Sequence, residues 1–245
     1  MDYDSLLELV KNRRSIRRFK SDLIPDEYIN KIIEVARWAP SGFNQQPWEF
    51  VVVKKSELKN KIVEFCRESR IFGPRMEATR EPWQGTSKIM LYQGEPDFSI
   101  APVFILLFGD NRTREGLPMG LRYDIYRQQI IFTSGLASAF LYMHLAATSL
   151  GLASQWVSAV GSAYPQCMIK DLLGIRKEME IYDMMALGYP ALKPKSKLLR
   201  DKQKMVHYDN CGVEDFRTDE EVRDFIRKAR RWNIAAENRK ADKQR

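Results

Sequence analysis

From Ile130 to Leu152 the chain reads IIFTSGLASAFLYMHLAATSLGL, 23 positions without a charged residue. So long an apolar stretch must be covered, either by lipid or by protein. Its length suffices to span a bilayer. It is, however, rich in small and hydroxylated residues, carries His144 near its middle, and has no second counterpart. These features favour a long, wholly buried helix of a soluble protein. Small residues at Ser134, Gly135, Ser138 and Ala139 would let another helix approach closely, which suits a subunit interface.

The segments around this run alternate in period. Leu6, Leu7 and Val10 give residues 4–12 an amphipathic helical pattern. Residues 25–38 begin with Pro25, place Asp26 and Glu27 in the first turn, and space Ile29, Ile32, Ile33 and Ala36 as a helix does. WEFVVV (48–53) predicts a strand, 56–68 a helix, and the fully apolar PVFILLF (102–108) a central strand. After the long helix come a strand at ASQWVSAV, a helix near 165–173, a strand at YDMMALGY, and a charged terminal helix over 219–237. The stretches 69–100 and 109–121 read as irregular, and loops that long are commonly functional or mobile.

The net charge of +8 is concentrated. Residues 11–20 hold six Lys or Arg and no acid. Residues 193–204 (KPKSKLLRDKQK) contribute +5, so the remainder of the chain is net negative. That distribution points to two anion-binding segments. Three dispersed cysteines without a CxxC argue against a disulfide framework or a zinc site and suit a reducing cytoplasm. With only His144 and His207, a multi-histidine metal site is excluded. His144 reads as a core residue with a bonded ring nitrogen. Cys66 and Cys167 read as inert residues on apolar helical faces. The charged N-terminus MDYDSLLELVKN does not read as a signal peptide.

RRSIRRFK (13–20) surrounds a serine hydroxyl with guanidinium groups, and PKSK later sets Ser196 between Lys195 and Lys197. Forked, charge-assisted donors plus a neutral hydroxyl make a phosphate-binding chemistry. The competing reading is two solvated charge runs. Neither GxGxxG nor GxxxxGK[ST] is present, so neither a dinucleotide fingerprint nor a P-loop accounts for them.

APSGFNQQPWEFVVV (39–53) adds a tight polar turn between a helix and a strand. With it the chain resembles the nitroreductase family of flavoproteins. Arg13, Arg14, Ser15, Arg17 and Phe19 match that family's Arg-Arg-Ser-x-Arg-x-Phe. Pro40, Ser41, Asn44, Gln46, Pro47 and Trp48 match its Pro-Ser-x-x-Asn-x-Gln-Pro-Trp. Leu187 to Pro190, with Lys195 and Lys197, match its late Leu-Gly-Tyr-Pro and basic pair. The three motifs fall in the family's order over most of residues 3–200.

The resemblance implies an α+β nitroreductase-like fold, a central, mostly antiparallel sheet flanked by helices, in an intertwined homodimer with FMN at the subunit interface. It implies that Arg13, Arg14, Ser15, Arg17, Lys195 and Lys197 bind the FMN phosphate and ribityl chain. Pro40, Ser41, Gly42 and Asn44 would reach the flavin from the other subunit. Trp156, Val157, Ser158 and Ala159 would lie along its ring. The implied activity is cytoplasmic electron transfer from NAD(P)H through FMN to a small quinone, nitro or other aromatic acceptor by a ping-pong mechanism. Reductive dehalogenation, flavin degradation, ring oxidation, and non-enzymatic flavin or nucleic-acid binding stand as alternatives. No metal, membrane or nucleic acid is called for, and no side chain is assigned a catalytic role, since the cofactor carries the redox step.

Two departures limit the match. Ser158 and Ala159 stand where some members have Glu-Gly. Gly94 and Asp97 stand where an Asn and a Lys are common. Acceptor choice is expected to lie in 69–121, where Phe72, Trp83, Tyr92 and Phe98 either form an aromatic wall or anchor the loop. The resemblance ends near 212, which divides the chain into a 1–212 FMN-binding domain and a basic helical extension over 213–245.

Overall fold

The computed structural model describes residues 2–85, 91–92, 94–192 and 197–241, with backbone alone over 231–241. Its helices are α1 (Tyr3–Asn12), α2 (Asp26–Arg37), α3 (Ser56–Glu68), α4 (Gly73–Ala78), α5 (Met119–Arg122), α6 (Ile125–Ser149), α7 (Ala163–Leu172) and α8 (Asp219–Ala241). The strands are β1 (Trp48–Val53), β2 (Val103–Asp110), β3 (Ala153–Val157) and β4 (Met179–Gly188). They form one antiparallel sheet in the order β1-β2-β4-β3. The architecture is therefore α+β, as the resemblance implied.

Strand β2 shows why its sequence is apolar throughout. Val103, Ile105 and Leu107 point into one core with α2 and α6, while Phe104, Leu106 and Phe108 point into a second core with α3 and α7. Helix α6 covers the first face through Phe132, Leu136, Ala139, Phe140, Met143 and Ala147, a helical period. Burying each of its phenylalanines contributes about 2–3 kcal/mol. The helix is long and apolar enough to cross a membrane. Within the single chain, half of its most apolar window is buried, while Ile130 is 38% and Leu141 44% exposed. Gly135 and Ala139 do not wait for a foreign helix. Ala139 has no exposed surface, and a Cβ on Gly135 would stand 3.1 Å from Ser41 Cβ of the same chain.

The described chain divides into two compact units, residues 1–69 with 94–194, and residues 70–93 with 195–245. The division expected after residue 212 falls inside the second unit. There α8 is capped by Thr218, whose hydroxyl accepts from Glu221 N–H while Glu221 accepts from Thr218 N–H. Arg230 donates to the carbonyls of Gln84 and Gly85, and the Arg223 guanidinium lies over the Trp83 ring. Tyr92 likewise carries Arg70. Phe98 belongs to the first unit's core at 2% exposure, edge-on to Phe104, so it anchors the loop and is not part of an aromatic wall. Cys66 is buried, but Cys167 is exposed on α7, unlike its expected apolar setting.

Candidate functional site

The basic segment is tied to the sheet by its backbone. Ser15 bridges Ser154 in parallel register, and Ile16 N–H donates to Ser154 O at 3.0 Å. Farther on, Phe19 bridges Pro190, Lys20 N–H donates to Tyr189 O, and Ala191 N–H donates to Arg18 O. Phe19 is buried at 5%. Gly188 makes room for it, since a Cβ there would stand 2.9 Å from both the Phe19 ring and Pro102. Thus the Arg-Arg-Ser-x-Arg-x-Phe and Leu-Gly-Tyr-Pro motifs meet because one supplies the ring and the other the gap.

Arg13 and Arg14 are half-buried, and Ser15 and Arg17 are exposed. Burial first, and then the charge of Arg13, holds the Arg14 guanidinium below its ordinary value. Crowded like charges are the setting that an anion relieves, so the residues present fit a phosphate. Arg17 stands 3.7 Å from Asp97. Both are about half exposed, which makes the pair worth at most about 1 kcal/mol.

The strand that receives this segment carries a buried polar cluster, of which sequence reasoning expected His144, as a core residue with a bonded ring nitrogen, but not Asp183. His144 of α6 and Ser154 share a hydrogen bond, Nδ1 to Oγ 2.7 Å. His144 Nε2 and Gln155 Oε1 are buried without hydrogen-bond partners. Burial, and then the charge of Arg13, lowers the His144 pKa to about 3, so the ring is neutral at physiological pH. Trp156 stacks on that ring at 5.4 Å and 5°, and Phe140 meets both edge-on. The indole N–H donates to Asp183 Oδ2 of β4, and Ser158 adds to the indole's pull on the carboxylate pKa. Asp183 is 8% exposed, and burial pushes its pKa up to about 6 against that combined pull.

Val157 is buried in the second core, whereas Ser158 is exposed and Ala159 half-buried at the corner where β3 ends. The Arg13–Arg17 segment and this strand are therefore neighbours.

The Pro40–Asn44 turn lies elsewhere. It is compact and strained. Phe43, Asn44 and Gln46 have φ of 56°, 51° and 44°, in the left-handed region that non-glycine residues seldom occupy. Gln46 N–H donates to Ser41 Oγ at 3.0 Å, and the Gln45 side chain donates to Thr113 O at 2.7 Å. Pro40, Gly42 and Asn44 are exposed and Ser41 half-buried. Ser41 abuts Gly135 and Gly42 abuts Ile131, nine to thirteen residues along α6 from His144. At about 1.5 Å per residue that is roughly 14–20 Å. One chain thus separates this turn from the Arg13–Ser15 and 154–159 group. Lys195 lies outside the described residues, and Lys197 is exposed in the second unit.

The sequence profile of the nitroreductase family matches residues 10–189. A protein of Archaeoglobus fulgidus, provisionally named an NADH dehydrogenase/NAD(P)H nitroreductase, is 27% identical over 187 residues, or 76% of this chain and 86% of that protein. An iodotyrosine deiodinase of Haliscomenobacter hydrossis is 26% identical over 185 residues, or 75% of this chain and 78% of the deiodinase. A solved iodotyrosine deiodinase bound to FMN and 3-iodo-L-tyrosine matches the fold with a TM-score of 0.63 at 26% identity, covering 84% of this chain and 100% of that one.

Proposed function

The chain belongs to the nitroreductase family, and we propose that it is an FMN-dependent oxidoreductase whose flavin lies between two copies of the chain. The observation that carries this reading is the pairing of the Arg13–Arg17 segment with the edge of β3 through Ile16 N–H and Ser154 O. That pairing gathers a phosphate-binding chemistry and a half-exposed strand end, the two things a flavin mononucleotide needs at its opposite ends. Arg13, Arg14, Ser15 and Arg17 hold the phosphate and ribityl chain. Trp156, Val157, Ser158 and Ala159 back the ring. Lys195 and Lys197 enter through the sequence match alone.

The separation of the Pro40–Asn44 turn within one chain favours a site completed by a second copy. Pro40, Ser41, Gly42 and Asn44 then supply the far wall from the partner. The exposed Ile130 and Leu141 of α6 give that partner apolar surface to cover.

Held by Arg13, Arg14, Ser15 and Arg17, FMN would supply two-electron redox chemistry between a reduced nicotinamide donor and a small acceptor that use the same space in turn, a ping-pong sequence. The chain itself orients, excludes water and supplies charge; the arginines stabilise negative charge that develops nearby. His144, neutral and enclosed, fixes Trp156 and moves no proton.

The test is direct. Purified protein should be yellow and release FMN, not FAD, on heating, and reduced protein should react fast with quinone or nitroaromatic acceptors in anaerobic stopped flow. A colourless protein that takes up no added FMN sinks the reading. A second reading, reductive removal of halide from an aromatic ring, is favoured by the deiodinase likeness at 26% identity. Iodide release from 3-iodotyrosine in the same screen distinguishes it.

A further inference from the structure

We propose that Asp183 is a positioning residue of this site: through the Trp156 indole its carboxylate sets the strand end at the corner that closes β3, and it makes that corner responsive to protons. The inference rests on the flavin reading for its consequence, but its geometry is independent of it.

A register shift in the β2–β4 pairing makes the contact possible. Leu107 faces Asp183 and Phe108 faces Ile181, so Tyr182 has no partner across the ladder. Such a bulge turns two consecutive side chains to one side. Tyr182 meets Phe140 at 5.7 Å and Trp156 at 6.2 Å, while Asp183 takes the Trp156 N–H. The indole is therefore fixed by His144 on its face, Phe140 and Tyr182 at its edges, and Asp183 at its nitrogen.

Among the described residues the hydrogen bond on Asp183 comes from the neutral Trp156 indole. The titratable groups packed on that indole and beside the carboxylate are Tyr182 on β4 and His144 on α6, and the charge of Arg13 reaches His144. Burial raises the Tyr182 phenol and lowers the His144 imidazole, so neither titrates near neutrality. Asp183, lifted to about 6 by burial, does. Below that pH the corner rests on a carboxylic acid, and above it on an anion that strengthens the bond from the indole and places a negative charge behind the ring site.

Two measurements on the full-length protein test this. With flavin removed, tryptophan emission should titrate with a midpoint near pH 6, and the step should vanish in both Asp183→Asn and Trp156→Phe. A step that survives in Asp183→Asn, or none in the unaltered chain, overturns the proposal. With FMN bound, the midpoint potential of Asp183→Asn should coincide with that of the unaltered protein below pH 5. Above pH 7 it should be more positive by about 30 mV, a tenfold change in the ratio of affinities for reduced and oxidised flavin. FMN bound at full stoichiometry with no such pH-dependent difference refutes Asp183 while leaving the flavin reading intact. A chain that takes up no FMN refutes that reading instead, and the emission arm still decides whether Asp183 governs the corner.

Discussion

The two halves of the candidate site are built by opposite means. The half at β3 is secured by backbone pairing to Ser154 and by a buried cluster of His144, Trp156 and Asp183. The half at Ser41–Asn44 is an exposed turn with left-handed residues at Phe43, Asn44 and Gln46, wedged against Gly135 and Ile131. The first owes its shape to the sheet. The second holds a costly conformation maintained by its own hydrogen bond from Gln46 N–H to Ser41 Oγ and by packing against α6. Strain of this kind, about 1–3 kcal/mol per residue, persists where the surroundings over-determine it. A rigid half and a strained half on one helix suit a site that closes when two chains meet.

Because both halves lean on α6, the largest effect should come from breaking that helix's inner face. Ala139→Glu would bury an unpaired charge at a position with no exposure, at a cost of about 4 kcal/mol or more. Denaturant unfolding should show a chain that is largely unfolded. On the outer face, Leu141→Glu should leave unfolding within about 0.5 kcal/mol but yield a monomer without flavin in light scattering read beside flavin absorbance.

Within the β3 half, Asp183→Asn should stabilise the protein at neutral pH. The folded chain holds its proton up to about pH 6, against 3.8 for the ordinary side chain. The unaltered protein therefore loses stability as pH rises through that window. Two pKa units correspond to about 3 kcal/mol. The variant should match it below pH 4, gain between 4 and 6, and lead by up to about 3 kcal/mol above 6, read from urea midpoints.

Smaller again, Arg14→Ala should weaken FMN binding by about 1.5–3 kcal/mol, the scale of a hydrogen bond to a charged group, and the loss should shrink as salt rises. Equilibrium fluorescence titration reads both. The smallest effect belongs to the strained half. Phe43→Gly removes the left-handed cost of about 1–2 kcal/mol but adds unfolded-state freedom. Its unfolding free energy should change by no more than about 1 kcal/mol, and in the stabilising direction if the turn is strained as described.

Periodicity made the elements legible. The apolar spacing of α2 and α3 and the unbroken β2 predict helices and a central strand that the structure contains, because burial on one stripe or on two faces leaves a direct trace in residue order. Which face of α6 stays outward within the single chain escaped, since an uncharged run does not mark Ile130 and Leu141 apart from the inner face. The nearness of Ser15 to Ser154 is a pairing across 139 residues, which no local pattern encodes; the motif resemblance went only as far as assigning residues 13–17 and 156–159 to one cofactor. Within its buried cluster His144 was legible as a core residue with a bonded nitrogen, but Asp183 left no trace. Its place depends on a bulge that re-aims one residue in an otherwise apolar strand, and bulges follow from the partner's register. Asp97 was visible only as a departure from the family's pattern, and its place beside Arg17 came from the fold.

The central claim is that each site takes one half from each of two chains, and complementation tests it most directly. Arg14→Ala damages the β3 half, and Ser41→Ala with Asn44→Ala damages the turn half. Each altered protein alone should bind FMN poorly. Co-expressed with different tags and purified as the mixed dimer, one of its two sites pairs both damaged halves and the other pairs both intact halves. The account predicts about one tightly bound FMN per mixed dimer, with affinity at that site restored to the unaltered value. A mixed dimer that binds FMN no better than either parent would contradict it, since both halves would then belong to a single chain.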